Sequence, residues 1–213
     1  MSNSLIQEAL QWRYATKKYD NTKKIRPEDW AVLAQSLTWA PSSYGAQPWK
    51  FLVVENPALR EQLKAVSWNQ TQVTDASHYV VFLYKESMDT EHVQKYIQRM
   101  AEIRQTSPES LGGFKAMLVE NLVKAPPEKI KIWSQRQAYI AMGFLLQSAA
   151  LLKIDATPME GLDPAAYDKI LGVEGSGWKT VATVALGYRH SEDALQHQKK
   201  VRFSDEDLIQ YLK

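Results

Sequence analysis

The period of the apolar positions changes several times along the chain, and each change marks an element. Ser4 with Gln7 three residues on predicts a capping box opening a helix, with Leu5, Ile6, Ala9 and Leu10 on one side. Pro27, Glu28 and Asp29 suit the first turn of a second helix. Its apolar positions are Trp30, Leu33, Ala34 and Leu37, and Pro41 closes it. Phe51 to Val54 is a continuous apolar run, which predicts a strand covered on both faces. Asn56-Pro57 opens a short helix through Val66, and His78 to Tyr84 reads as a second covered strand.

Residues 88–133 have another texture. They are charged, helical in pattern, and broken at Ser107-Pro108, Gly112-Gly113 and Pro126-Pro127. This segment reads as an excursion from the core with breaks where it could move. Residues 134–152 are apolar nearly all round, which predicts a buried core or interface helix. A strand at Asp155–Met159, a helix from Asp163 to Gly172 and a strand at Val181–Leu186 follow. The polar segment 187–213 closes the chain, with a short helix begun by Ser204. Helices and covered strands are interspersed without repeats, so one domain over residues 1–213 is expected, of α/β or α+β class.

Composition narrows the chemistry. With no cysteine, disulfides, thiolate metal sites, iron–sulfur clusters and thiol redox steps are all excluded. Redox activity would need an organic cofactor or a non-thiolate metal, and the four histidines lack metal-ligand spacing. A net charge of +2 gives no reason to expect a nucleic-acid partner. No run approaches the ~18 apolar residues of a membrane span, and no secretory signal opens the chain. A cytoplasmic, soluble protein is expected. No G-x-G-x-x-G, Walker A or G-x-S-x-G pattern occurs.

The most informative stretch is Pro41-Ser42-Ser43-Tyr44-Gly45-Ala46-Gln47-Pro48-Trp49. Two prolines bracket small and hydroxyl residues, which holds the backbone in an irregular shape with open N–H donors. Such a loop suits a polar ring or a phosphate, and equally an ordinary helix-to-strand connection. Arg13-Tyr14-Ala15-Thr16-Lys17 lies upstream; Asn69, Pro158-Met159-Glu160-Gly161 and Lys200-Val201-Arg202 lie downstream. Each alone has a plain reading: charges at a helix end, a turn asparagine, a simple turn, a solvated basic tail.

In this order and at these distances the set resembles the nitroreductase family of FMN-dependent NAD(P)H oxidoreductases, nearly end to end. The resemblance implies an α+β fold with a central, mostly antiparallel sheet flanked by helices. It implies a homodimer with an FMN at each of two composite sites, and NADH or NADPH as transient electron donor. Arg13, Lys200 and Arg202 would hold the FMN phosphate, with Tyr14 and Ala15 beside them. Ala15 stands where some members have serine. Lys17 would approach the N1/O2 edge of the ring, and Asn69 its pyrimidine edge. Gln72 occupies a place where some members carry a lysine. Pro41, Ser42 and Ser43 would also contact the cofactor. Backbone N–H groups of Pro158-Met159-Glu160-Gly161 would face N5. Tyr44, Trp68 and Phe114 would line the substrate pocket, with Phe114 on a mobile cover. The flavin itself would carry the chemistry, so no catalytic side chain is expected. Two rivals stay open: a non-reductase flavoenzyme of the same family, and a cofactor-free helical binding protein.

Overall fold

The computed structural model describes residues 3–213. Its helices are α1 (Asn3–Trp12), α2 (Pro27–Thr38), α3 (Pro57–Ala65), α4 (Gln72–Asp75), α5 (Thr90–Arg104), α6 (Gly112–Leu118), α7 (Pro127–Leu151), α8 (Pro164–Ile170) and α9 (Asp205–Leu208). The strands are β1 (Trp49–Val53), β2 (His78–Lys85), β3 (Asp155–Met159) and β4 (Trp178–Gly187). They form one sheet in the order β1-β2-β4-β3, with every neighbouring pair antiparallel. This is the α+β arrangement expected.

The two central strands explain the layering. Successive side chains of a strand point to opposite faces. Val80 and Phe82 of β2 join Ala182, Val184 and Leu186 of β4 against Leu33 and Leu37 of α2 and Ala141, Leu145 and Ala149 of α7. On the other face Tyr79, Val81 and Leu83 pack with Ala185 against Leu63 of α3 and Tyr167 of α8. Leu33, Leu63 and Leu145 are fully buried, and truncating one to alanine would cost about 2–5 kcal/mol. A third cluster joins Val93 and Ile97 of α5, Leu118 of α6, Leu122 and Ile130. The segment 88–133 thus carries a small core of its own.

Several elements differ from the sequence reading. The strand expected at Phe51–Val54 is Trp49–Val53, a sheet edge whose Phe51 and Leu52 pack against the clusters on the two opposite faces while Val53 at its end is exposed. Ser4 lies within α1 rather than at its cap. Gly112 and Gly113 open α6, with Gly112 in right-handed helical geometry, so the pair forms part of a helix. Pro126-Pro127 is a helix start: Pro127 is the first residue of α7, where a missing N–H is harmless. The helix expected at 134–152 therefore begins a turn and more earlier. Nor is it buried all round, because Tyr139, Ile140 and Phe144 are exposed on one side. Among the described residues, no helix is long and apolar enough to cross a membrane. The short helix expected after Ser204 is α9, opened by a capping box between Ser204 and Asp207.

Candidate functional site

The segment after α1 is held by buried polar contacts. α1 ends at Trp12, so Arg13 and Lys17 do not share a helix face. Instead the backbone N–H groups of Lys17 and Lys18 donate to Asp193 Oδ2 at 2.7 and 3.1 Å. Burial pushes the Asp193 carboxyl up, but those N–H groups and that of Leu195 outweigh it and hold it below its ordinary value. The Thr16 hydroxyl donates to Asp155 at 3.2 Å, and Thr157 donates back to the Thr16 carbonyl at 2.7 Å. Asp155 in turn takes Nε and Nη2 of Arg189 at 2.9 and 2.6 Å. The Arg189 guanidinium lies over the rings of Trp12 and Tyr14, 4.3 and 4.6 Å from their centroids.

That scaffold shapes a cavity of about 360 Å³. Arg13, Lys17, Lys199, Lys200 and Arg202 line it with Tyr14 and Ala15, and no Asp or Glu does. Arg13 Nε is buried without a hydrogen-bond partner. Burial, then the charge of Arg202, holds the Arg13 guanidinium below its usual pKa. Lys200 is lowered by burial and then by Arg13 and Arg202. Its Nζ also donates to the Leu10 and Arg13 carbonyls, capping the end of α1. Like charges are thus gathered at some cost, an arrangement that an anion would relieve.

A second group forms around Gly161. Trp68 and Asn69 are consecutive residues with φ of 53° and 54°, an unusual left-handed pair. Asn69 is exposed, and its N–H donates to Lys64 O at 3.1 Å. A Cβ on Gly161 would lie 2.8 Å from the Trp68 ring, so only glycine lets that ring approach. The Gln70 side chain donates to Gly161 O at 2.9 Å. Pro158 and Met159 end β3, with Met159 buried and Glu160 exposed. The Tyr139 hydroxyl donates to Glu160, and its pKa is raised by burial and by that carboxylate. Gln72 is buried in α4.

The third group is the loop 41–49. Ser42 Oγ accepts from Gln47 N–H at 2.9 Å, and Ser43 N–H donates to Gln137 Oε1 on α7 at 2.8 Å. Tyr44 sits at φ 59° and Gly45 at φ 68°. The Tyr96 hydroxyl donates to Tyr44 O at 3.0 Å, and the Phe114 ring meets Tyr96 edge-on at 6.4 Å. Tyr44 and Phe114 are therefore joined through Tyr96.

Within this chain the cavity at Arg13 is lined by neither Gly161 nor Ser42, whereas the other two groups are both tied to α7, through Tyr139 and Gln137. Sequence reasoning missed Asp155, Arg189, Asp193, Gln70, Tyr96, Gln137 and Tyr139. These act through contacts distant in sequence, for which no local spacing exists.

A family model described as the Nitroreductase family matches residues 10–188. A relative from Staphylococcus saprophyticus is 33% identical over 97% of this chain and 96% of its own. One from Staphylococcus aureus strain USA300 is 35% identical over 99% and 96%. Both are provisionally named as NAD(P)H nitroreductases. Among solved structures, a nitroreductase-like protein from Streptococcus mutans has a TM-score of 0.85 at 19% identity, covering both chains fully. A provisionally named nitroreductase from Exiguobacterium sibiricum, in complex with FMN, has a TM-score of 0.81 at 20% identity over 97% of each chain. At such identities these two structures establish the fold, while the family model and the two sequence relatives carry the further conclusion that the chain belongs to the nitroreductase family.

Proposed function

We propose that the chain is an FMN-dependent NAD(P)H oxidoreductase that works by alternating half-reactions. The observation that carries this reading is the acid-free cavity with five cations and a buried, unpartnered Arg13 Nε. That donor set fits a phosphate dianion, which accepts several charge-assisted hydrogen bonds at once. Bound FMN supplies the two-electron chemistry, a hydride taken from NAD(P)H and passed to a nitroaromatic, a quinone or a related acceptor.

The chain's own residues bind and orient. Arg13, Lys200 and Arg202 hold the phosphate, with Tyr14 and Ala15 packed beside it. Lys17 supplies positive charge toward the N1/O2 edge, and Asn69 offers its side-chain amide to the pyrimidine edge. The Pro158–Gly161 turn presents backbone to the ring, and Tyr139 steadies Glu160 there. Trp68, Tyr44 and Phe114 border the acceptor.

The absence of the 41–49 loop from the lining of the Arg13 cavity supports a composite site in a homodimer, in which Pro41, Ser42 and Ser43 reach the flavin held by the other copy. Gln137 ties Ser43 to α7, whose exposed Tyr139, Ile140 and Phe144 supply an apolar face for such an interface. Sedimentation of wild type and Phe144→Glu tests this: a dimer weakened by the substitution is expected, and a flavin-loaded wild-type monomer at micromolar concentration refutes it.

The test of function is anaerobic. Purified protein should be yellow, and should bleach on addition of NADH or NADPH and recover its colour with an acceptor. Colourless protein that takes up no added FMN would overturn the reading.

A further inference from the structure

A second cleft lies at the opposite edge of the sheet. β1 and β3 are the two edges, and Pro158–Gly161 belongs to the β3 side. Along β4, Trp178 is nine residues from Gly187, roughly 30 Å at strand rise, and Gly187 adjoins the Arg189 scaffold. The cleft surrounds Trp178 and has a volume of about 440 Å³, within the ordinary range of small-molecule sites. It shares no lining residue with the Arg13 cavity.

Its walls are aromatic. Trp49, Phe51, Tyr96 and Trp178 line it, and Trp49 and Phe51 pack at 6.0 Å between centroids. Its charges are all of one sign. Lys50, Lys95 and Arg99 line it together with His92, and no Asp or Glu does. Arg99 pairs with Glu102 at 3.1 Å, outside the lining, and Lys85 pairs with Asp89 behind Trp178. Among the described residues, Lys50 and Lys95 have no ion-pair partner within 4 Å. Lys50 Nζ instead lies 5.2 Å from the Trp178 ring centroid.

The floor is held rigidly. His92 Nε2 bonds Ala46 O at 2.6 Å, and the Gln47 side chain donates to Thr38 O at 2.9 Å. Gln47 itself sits at φ 45°, a left-handed conformation that costs energy and is kept here by those contacts. Flat rings at low exposure, unpaired ammonium groups and a fixed floor are the parts of a recognition site.

We propose that this cleft binds a flat aromatic ring bearing a carboxylate or a phosphate. The ring lies among Trp49, Tyr96 and Trp178, and the anionic group faces Lys50, Lys95 and Arg99. This site is separate from the proposed flavin site and does not rest on it. It nevertheless borders the loop 41–49 through Ala46 and Gln47, and Tyr96 bonds Tyr44 of that loop.

Calorimetry on the full chain as purified tests the assignment, with 2-naphthoate and 2-naphthyl phosphate as probes and neutral 2-naphthalenemethanol as control. The two anions should bind, the alcohol much more weakly. Trp178→Ala should weaken binding roughly five- to tenfold, the scale of one lost aromatic contact. Lys50→Gln with Lys95→Gln should weaken it similarly and flatten its salt dependence. These lysines are exposed, so that double variant tests the idea even if Trp178→Ala fails to fold. Lys169→Gln, an exposed position lining neither this cleft nor the Arg13 cavity, should leave the probes' affinity unchanged. A parallel absorbance scan reports the flavin site independently, so failure of the flavin reading leaves this test intact. Equal binding of the alcohol, or full affinity in the lysine double variant, overturns the proposal. Loss of binding in Arg202→Gln alone would place the anions in the Arg13 cavity and overturn it too.

Discussion

Asp155→Asn should both destabilise the fold and loosen the candidate flavin site. Asp155 is almost fully buried, and its carboxylate accepts from Thr16 Oγ1 and from the N–H, Nε and Nη2 of Arg189. An amide keeps the size but removes the charge and turns one acceptor into a donor facing a donor. Breaking a buried ion pair by altering one partner costs about 3–5 kcal/mol. The Arg189 side chain keeps 21% of its exposure, so water can partly solvate the stranded guanidinium. The lower end, about 3 kcal/mol, is therefore expected. In a chain of this size about 1 kcal/mol moves Tm by roughly 2–4 °C, which gives a fall of about 6–12 °C. Urea unfolding of Asp155→Asn, Arg189→Met and the double variant closes a cycle. The double variant should be less destabilised than the sum of the singles, with a coupling of about 1–3 kcal/mol. Thr16 hangs on the same carboxylate, so FMN affinity should fall together with stability. A single variant within about 2 °C of wild type, or a cycle with no coupling, would show that the pair does not anchor the segment bearing Arg13 and Lys17.

Three further outcomes are expected. Arg13→Ala and Arg202→Ala should weaken FMN retention in equilibrium dialysis, with a smaller salt dependence than wild type; unchanged affinity in both would remove the phosphate assignment. Gly45→Ala should cost at least about 1–2 kcal/mol from its left-handed backbone, because φ is 68° and the new Cβ would lie 2.2 Å from Tyr96 Oη. Adding Tyr96→Phe should recover part of that loss, and no recovery would mean that the contact is not the cause. Asp193 has a folded-state pKa below its ordinary value, so its contribution is present above the unfolded value of ~3.9 and lost as pH falls through the folded value. The Tm gap between wild type and Asp193→Asn should thus be constant above about pH 5 and close below about pH 4; a gap independent of pH would refute the linkage.

The central strands were legible because burial on both faces writes a continuous apolar run, as in His78–Tyr84. β1 was legible for the same reason, since Phe51 and Leu52 pack on opposite faces, but its place at the sheet edge, with Val53 exposed, leaves no different local mark. Pro126-Pro127 read as a break because proline ends helices more visibly than it begins them, yet α7 starts there. The cations at Arg13, Lys200 and Arg202 could be named from their order along the chain. Their convergence on one cavity could not, since it depends on Asp155, Arg189 and Asp193 folding together from distant positions. A buried carboxylate paired across 34 residues has no periodicity to detect.

Both sheet edges offer a template on which another extended chain could add, and the two are guarded differently. β3 carries Pro158, which has no N–H to give, and a strand tolerates proline where that side faces away from the ladder. A chain trying to extend the sheet there would find a donor missing at the fourth residue of a five-residue edge. β1 has no proline, and its exposed Lys50 places a charge on the edge strand instead. Pro158 therefore serves colloidal solubility as well as the turn that follows it. Its replacement by valine would restore that donor, and the expected consequence is concentration-dependent aggregation rather than a change in the folded molecule.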